Sequence, residues 1–360
     1  MSFISRRIKN IVNPPFFGMD ISDLTIKFLR VSDGGGTKKT IKYFGEINIE
    51  PGIIVEGEVK NESSLSEILK KNLKDSEGKR VHEKFVVASL PEEKSFVRII
   101  QLPKLKPSEL ATAVRWELEG NIPLPLDQVY FDYEVVGQEK PSDHTDVLIT
   151  AFPRIIVDSY TEALKSAGLY PLALELESQA ISRACITPDT KSVIILDVGM
   201  TRTSFIVFGG GSIILTLSIP FGGQTLNSAI ANKLKVPNKE AEALKKTHGL
   251  DKQYKNGTLF EAMSPFLKTL VEEVQKQIWF YKEHSEHRHG SPSDIEKILL
   301  VGGDANLIGL EKYLAVALKR PVLMADPFVN VYGAGYKVIP SIEKNASLKY
   351  TTSIGLALRQ

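Results

Sequence analysis

Cysteine is almost absent: the 360-residue sequence has one, Cys185. That excludes an intramolecular disulfide and any fold held by cross-links. Cys185 stands in an apolar, helix-like stretch with no histidine nearby, so it reads as a small core residue and not a nucleophile. The chain suits a reducing cytoplasm. Charge of one sign is also lacking. The 45 basic and 43 acidic residues leave a net charge of +2, so no basic field is available for nucleic acid. No apolar run approaches the ~20 residues that span a bilayer. Arg6-Arg7 is not followed by the apolar stretch of a secretory signal. Low-complexity tracts and short repeats are missing too. What remains is ordinary, 42% hydrophobic and 24% charged, enough for large cores in two or more domains.

The apolar pattern alternates between short β-branched runs and helical spacing, which argues for α/β layers. Residues 16–31 and 39–49 read as strands around the polar turn at Asp33-Gly34-Gly35-Gly36, Ser63 to Lys74 as a helix, and Phe85 to Leu90 as a buried strand ending at Pro91. Ser108 is read as the N-cap of a helix over 109–119, stopped by Gly120-Asn121, with a strand from Asp146 to Phe152. Ile155 to Ser166 and Glu177 to Cys185 read as helices. Val193 to Leu196, Ser204 to Phe208 and Ser212 to Pro220 read as strands, with a hairpin at Gly209-Gly210-Gly211. Residues 224–249 are helical with a break near Pro237. Ser264-Pro265 reads as the start of a further helix reaching about Glu283. Ile298 to Val301 is the last strand. Residues 1–13 read as a short basic amphipathic helix, packed on the core or touching a membrane surface. Trp116 and Trp279 fall on apolar helix faces and read as core anchors. The cluster His284, His287 and His289 lacks acidic or cysteine partners and reads as a solvated helix end.

Three Gly-marked turns carry the chemistry. The first is Phe17-Gly18-Met19-Asp20-Ile21-Ser22, with Lys27 beyond it. The second is Leu196-Asp197-Val198-Gly199-Met200-Thr201-Arg202-Thr203-Ser204. The third is Leu300-Val301-Gly302-Gly303-Asp304, running into Leu307 and a helix. Each follows an apolar run that reads as a buried strand. Asp20 and Asp197 stand where a carboxylate can hold Mg²⁺ through water. The tight turns bring N–H and hydroxyl donors to a phosphate. The Gly-Gly turn leaves backbone on which a base and ribose can lie.

The order Asp-turn, Asp-turn, Gly-Gly-turn resembles the actin-like ATPase superfamily. Further motifs narrow it. Arg98-Ile-Ile-Gln-Leu-Pro103, Glu109 through Arg115-Trp116-Glu117, Ile122-Pro-Leu-Pro-Leu126 to Phe131-Asp-Tyr133, Ile156-Val-Asp-Ser-Tyr160, Ala167-Gly168-Leu169, Glu175-Leu-Glu177 and the terminal Ile354-Gly-Leu-Ala-Leu-Arg359 resemble the type IV pilus assembly protein PilM family. The resemblance covers residues 16 to 359. It implies an α/β actin-like ATPase fold of two lobes, with an inserted subdomain of the 1C (SHS2-like) type shared with the cell-division protein FtsA. The lobes fall at 1–84 with 153–190 (1A), and at 191–222 with 291–360 (2A). The insertion is 85–152, and 223–290 is subdomain 2B.

By that resemblance the cofactors are ATP and Mg²⁺. Asp20 and Asp197 hold the metal, Lys27 contacts phosphate, and Ser22, Thr25, Thr201 and Thr203 supply hydroxyls. Gly199, Gly222 and Gly223 add backbone. Glu242, Lys245 and Lys246 share a helix face toward ribose and adenine, Gly302, Gly303 and Leu307 complete the adenosine side, and Glu177 orients the attacking water. Asp23 and Leu24 depart from the small residues usual after the first Asp pair, and an acid aimed at a polyphosphate costs affinity. Activity is expected to be ATP binding with at most slow hydrolysis. The implied partner is the N-terminal cytoplasmic tail of a PilN-like inner-membrane protein, with pilus motor ATPases, the platform protein and self-association left open. Two other functions compete. An FtsA-like polymerising protein would carry a C-terminal membrane helix, which is not expected here because the chain stops after its last core-like run. A small-molecule kinase needs an Asp base facing a substrate cleft, and no candidate stands out.

Overall fold

The structure, a computed structural model, describes residues 14–33, 39–136, 144–285 and 294–359. The amphipathic reading of residues 1–13 and the side chains of the histidine cluster lie outside them.

The chain opens with an antiparallel meander: β1 (Phe16–Ile21), β2 (Thr25–Asp33) and β3 (Lys39–Asn48). A small hairpin of β4 (Ile54–Val55) and β5 (Glu58–Val59) leads to α1 (Glu62–Asn72), capped where Asn61 Oδ1 accepts the Ser64 N–H at 3.0 Å. Next is β6 (Phe85–Leu90), a wholly apolar run apart from Ser89, as a strand covered on both faces should be. A separate unit follows: β7 (Phe96–Pro103), α2 (Pro107–Asn121), β8 (Val129–Val136) and β9 (His144–Pro153). The chain then rejoins the first sheet through α3 (Arg154–Ser166), β10 (Tyr170–Leu176) and α4 (Glu177–Cys185).

The second half starts with another meander, β11 (Ser192–Val198), β12 (Thr203–Gly209) and β13 (Ser212–Ile219). The helices α5 (Gly223–Leu234), α6 (Asn238–His248) and α7 (Thr258–Ser285) come next. It closes with β14 (Lys297–Val301), α8 (Leu310–Leu318), β15 (Val322–Met324), the single turns α9 (Val329–Tyr332) and α10 (Lys344–Ser347), and α11 (Thr351–Ala357).

The two large sheets repeat one scheme. The orders are β10-β6-β1-β2-β3 and β13-β12-β11-β14-β15. In each, the first strand pairs antiparallel with its hairpin neighbour and parallel with a later strand. The turns after the parallel strands therefore gather at the carboxyl ends of both sheets, where α/β proteins place ligands. Each sheet has its own apolar core, and a third cluster including Leu29, Ile181, Ile195, Ile206 and Ile354 joins them. The fully buried α11 packs against β1 and α4. The approach is so close that a Cβ on Gly355 would stand 1.7 Å from the Ala180 carbonyl oxygen. The β7–β9 sheet and α2 enclose a separate core around Val114, Leu118, Val147 and Ile149.

Several sequence expectations change. Ser108 is not the N-cap: Lys106 is, with Pro107 at the first helical position and the Glu109 carboxylate accepting the Lys106 N–H at 3.1 Å. Proline's fixed φ and missing donor suit that place. Pro265 does not open a helix but lies inside α7, which starts seven residues earlier. The apolar face of Leu259, Met263, Phe266, Leu267 and Leu270 is buried along its whole length, which outweighs one lost backbone hydrogen bond. Trp116 and Trp279 are not core anchors: they are 72% and 62% exposed, because the faces of α2 and α7 that meet the core carry Val114 with Leu118, and Val274 with Ile278. Cys185 is buried as expected.

Candidate nucleotide cleft

Asp20 stands in β1, paired across the hairpin with Lys27, and Asp197 occupies the matching place in β11, paired with Ser204. Parallel pairing sets Val301 beside Asp197, so Gly302 follows directly at its side. A Cβ on Gly302, whose φ is +91°, would come within 2.3 Å of Asp197 Oδ1, so glycine is required there on both counts. The second and third turns thus close on one another. In the first sheet, Ser89, one residue before the end of β6, stands beside Asp20: its hydroxyl donates to Asp20 Oδ1 at 3.2 Å and accepts the Ile21 N–H at 3.0 Å. Glu177 follows β10 as the first residue of α4.

The first turn is internally tied. The Ser22 hydroxyl donates to the Thr25 carbonyl at 2.9 Å, and Lys27 Nζ donates to Thr25 Oγ1 at 2.7 Å. Asp23 accepts the Gly57 N–H at 2.9 Å in the β4–β5 hairpin and lies within electrostatic reach of Arg202 and Glu93. In the second turn the Gly199 N–H donates to the Arg202 carbonyl at 2.9 Å, and Gly223 N–H donates to the Gly199 carbonyl at 3.0 Å. A Cβ on Gly222 would stand 2.6 Å from the Gly199 and Met200 carbonyl oxygens. Thr201 is partly exposed at the turn, whereas Thr203 is buried and donates to the Phe221 carbonyl at 2.7 Å.

The adenosine-side residues divide. Lys245 is 2% exposed, with Nζ 2.5 Å from Asp304 Oδ1 and 3.2 Å from the Gly223 carbonyl, a clamp that ties α6 to α5 and the Gly-Gly turn. Lys246 pairs with Glu242 at 2.6 Å on the outer face of α6, Leu307 packs into the second core, and Gly303 is exposed beside Lys349.

Electrostatics mark the cleft. Burial, then the facing Asp20, push the Asp197 carboxyl up to about 6. Burial likewise raises Asp20, with Lys27 opposing. Glu177 is held well above the ordinary carboxylate range by burial, against the pull of Arg202 and with repulsion from Asp20, Glu93 and Asp197. Glu93, from the 3₁₀ turn Glu92–Lys94, is raised by burial, and its Oε2 is buried without a hydrogen-bond partner among the described residues. Among the described residues, Asp20, Asp197, Glu177 and Glu93 are countered by Lys27, Arg202 and, at Glu93, Lys94. That donor set repels a bare polyphosphate and fits one that brings a divalent cation. Arg202 was not singled out from the sequence. Its guanidinium crosses to the first half of the chain, bonding Glu93 and, at 3.2 Å, Glu177. A basic residue inside a phosphate-type turn was the only local signal.

The family model for type IV pilus assembly protein PilM matches residues 18–360. The chain belongs to the PilM family. Among solved structures, the PilM-PilN type IV pilus biogenesis complex is similar at a TM-score of 0.77 and 25% identity, covering 96% of this chain and 98% of that one. EutJ from Carboxydothermus hydrogenoformans (TM-score 0.56, 17% identity, 95% and 88% covered) and MreB 5 of Spiroplasma citri bound to AMPPNP (0.50, 14%, 94% and 94%) share the fold. The PilM-type chain thus has the actin-like ATPase fold. FtsA of Bacillus subtilis (strain 168) is 24% identical over 305 residues, 78% of this chain. That match spans 63% of FtsA, less than two thirds of its length.

A second feature of this PilM-family chain lies away from the phosphate turns. A cavity of about 1320 Å³ separates β8 from β10 and α4, and none of Asp20, Lys27 or Asp197 lines it. Strand β8 is the edge of its sheet, order β7-β9-β8. The cavity floor carries Glu175, gripped by Arg183 at 2.6 and 2.9 Å and by Arg359 at 2.6 Å. Ser182 lines it too, and its buried Oγ has no hydrogen-bond partner among the described residues. No helix among the described residues is long and apolar enough to cross a membrane.

Proposed function

We propose that this chain is a cytoplasmic, nucleotide-binding scaffold of type IV pilus assembly, held at the inner membrane by gripping the N-terminal tail of a PilN-like membrane protein. The observation that carries the reading is the open edge of β8 along the 1320 Å³ cavity. An unpaired strand edge offers alternate N–H and C=O groups to an extended peptide, and pockets beside it select side chains. The lobe and subdomain limits expected from the sequence are kept as part of this proposal, with the cavity bordered by the 85–152 insertion and by residues of both lobes.

The nucleotide is Mg·ATP. Asp20 and Asp197 would hold the metal through water, Lys27, Ser22, Thr25, Thr201 and the Gly199 and Gly222–Gly223 backbone would meet phosphates, and Gly302–Gly303 would receive the adenosine. Lys245 acts there as a support for the Gly-Gly turn, and Thr203 as a support for the second turn. Glu177 is the acceptor aimed at water. When bound, Mg·ATP would supply the cationic charge that the acids of both halves lack. The motor ATPases and platform protein stay candidate partners.

Fluorescence anisotropy with a labelled N-terminal peptide of the neighbouring pilus membrane protein tests the reading. Binding in the micromolar range or tighter, about 8 kcal/mol, is expected. Peptides N-methylated at alternate positions should lose binding in one register and keep it in the other. Equal binding by both methylated peptides would rule out pairing along β8.

A further inference from the structure

We propose that Arg202 is the residue that distinguishes a nucleoside triphosphate from a diphosphate in this chain, an inference that rests on the nucleotide reading above. Arginine stays charged in any protein environment, so a buried guanidinium must be matched by anions in every state of the molecule. Here its side chain is 13% exposed and its partners are Glu93 and Glu177, both from the other half of the chain. Asp20 and Asp197 also lie within its electrostatic reach. Those acids are under-neutralised: Glu177 is held well up the scale and Glu93 keeps one buried oxygen without a donor. Arg202 is therefore already stripped of water, and it shares its charge among more carboxylates than it can satisfy. An anionic oxygen arriving beside it needs little further desolvation of the guanidinium, and forms charge-assisted bonds in place of those to Glu93 and Glu177.

Topology says which oxygen arrives. In the order β13-β12-β11-β14-β15, the Gly302–Gly303 turn follows β14 on one side of β11, and Arg202 leads into β12 on the other. A nucleotide with its adenosine on the β14 side extends its phosphates past Asp197 toward β12. Arg202 waits at the far end, on the side where Glu177 begins α4. A diphosphate stops short of it and leaves the guanidinium on Glu93 and Glu177. A triphosphate takes it over, and in doing so frees Glu177.

Calorimetric titration of the full chain with Mg·ATP and with Mg·ADP tests this, with thermal unfolding as the check on folding. Wild type should bind Mg·ATP at least about tenfold more tightly. Arg202→Gln should weaken Mg·ATP about ten- to a hundredfold, the range of one or two charged hydrogen bonds, while Mg·ADP changes less than about threefold. Glu93→Gln removes a competing carboxylate and keeps the guanidinium, so it should widen the ATP-to-ADP preference. Equal losses for both nucleotides in Arg202→Gln would make Arg202 a latch between the halves and overturn the proposal. If Arg202→Gln does not fold, Glu93→Gln decides, and an unchanged preference overturns it. Wild type that binds both nucleotides equally overturns this proposal alone; wild type that binds neither removes the nucleotide reading with it.

Discussion

Replacing Asp197 by Asn separates the demands of folding from those of binding. The carboxyl is pushed from its ordinary 3.8 to about 6, by burial first and by Asp20 second. A raised folded-state value means the native state holds the proton more tightly than the unfolded chain. That contribution to stability is fully present below about pH 4 and is lost as pH rises through 6. Two units at 1.36 kcal/mol each set a ceiling near 3 kcal/mol, and the solvent contact Asp197 keeps lowers it to about 2. An Asn of the same shape has no charge to bury. Asp197→Asn should therefore be more stable than wild type by about 2 kcal/mol at pH 8 without nucleotide. That is a rise of about 3 °C in Tm, taking roughly 2.1 cal/mol/K of unfolding entropy per residue over the whole chain. The difference should shrink to nothing by about pH 4. Saturating Mg·ATP should reverse the order, because only the ionised carboxylate organises the metal and gains the mass-action stabilisation of a bound ligand. Calorimetric melting across pH 4 to 8, with and without Mg·ATP, measures both. An Asn variant less stable than wild type at pH 8 in the absence of nucleotide, or a gap that persists at pH 4, would refute the argument.

Two further outcomes follow from the same geometry. Lys245→Ala strands the Asp304 carboxylate that Lys245 clamps, and should cost about 3–5 kcal/mol in urea denaturation, with Lys245→Met combined with Asp304→Asn recovering most of it; an exposed-pair cost below about 1 kcal/mol would contradict the clamp. Helix α4 starts in the cleft at Glu177 and lines the peptide cavity at Ser182 and Arg183, so saturating Mg·ATP should change the peptide Kd about fivefold or more, with peptide changing nucleotide affinity by the same factor; identical peptide affinities with and without nucleotide would show the sites to be independent.

Much of the site was legible because its signals are local. An apolar run followed by Asp and Gly says that a buried strand ends in a tight turn, and neighbours in sequence suffice to read it. Asp20, Asp197 and Gly302 were placed that way, and parallel pairing of β11 with β14 then set Asp197 beside Gly302. Helix α4 matched its expected limits at Glu177 and Cys185 because its start and its apolar spacing both lie within nine residues. Helix α7 was misread at Pro265 because the local rule for proline ignores the buried face that also holds the seven helical residues before it.

The sequence by itself determined the layered α/β class, the three turns and the family, since each depends on short-range pattern or motif. Tertiary structure alone decided the direction in which long side chains point. Trp116 and Trp279 face outward and Lys245 inward, although periodicity suggested the reverse for the tryptophans and the family resemblance implied a nucleotide-facing surface for the lysine. Arg202 gained its role from Glu93 and Glu177, carboxylates far away in the chain that only the packing of two sheets brings to it. The edge of β8 borders a cavity only because α4 and β10 stand across a gap from it. A flexible side chain or a strand edge takes its partner from whatever the fold sets opposite, and that choice is made by the global burial of apolar surface, which no window of sequence contains.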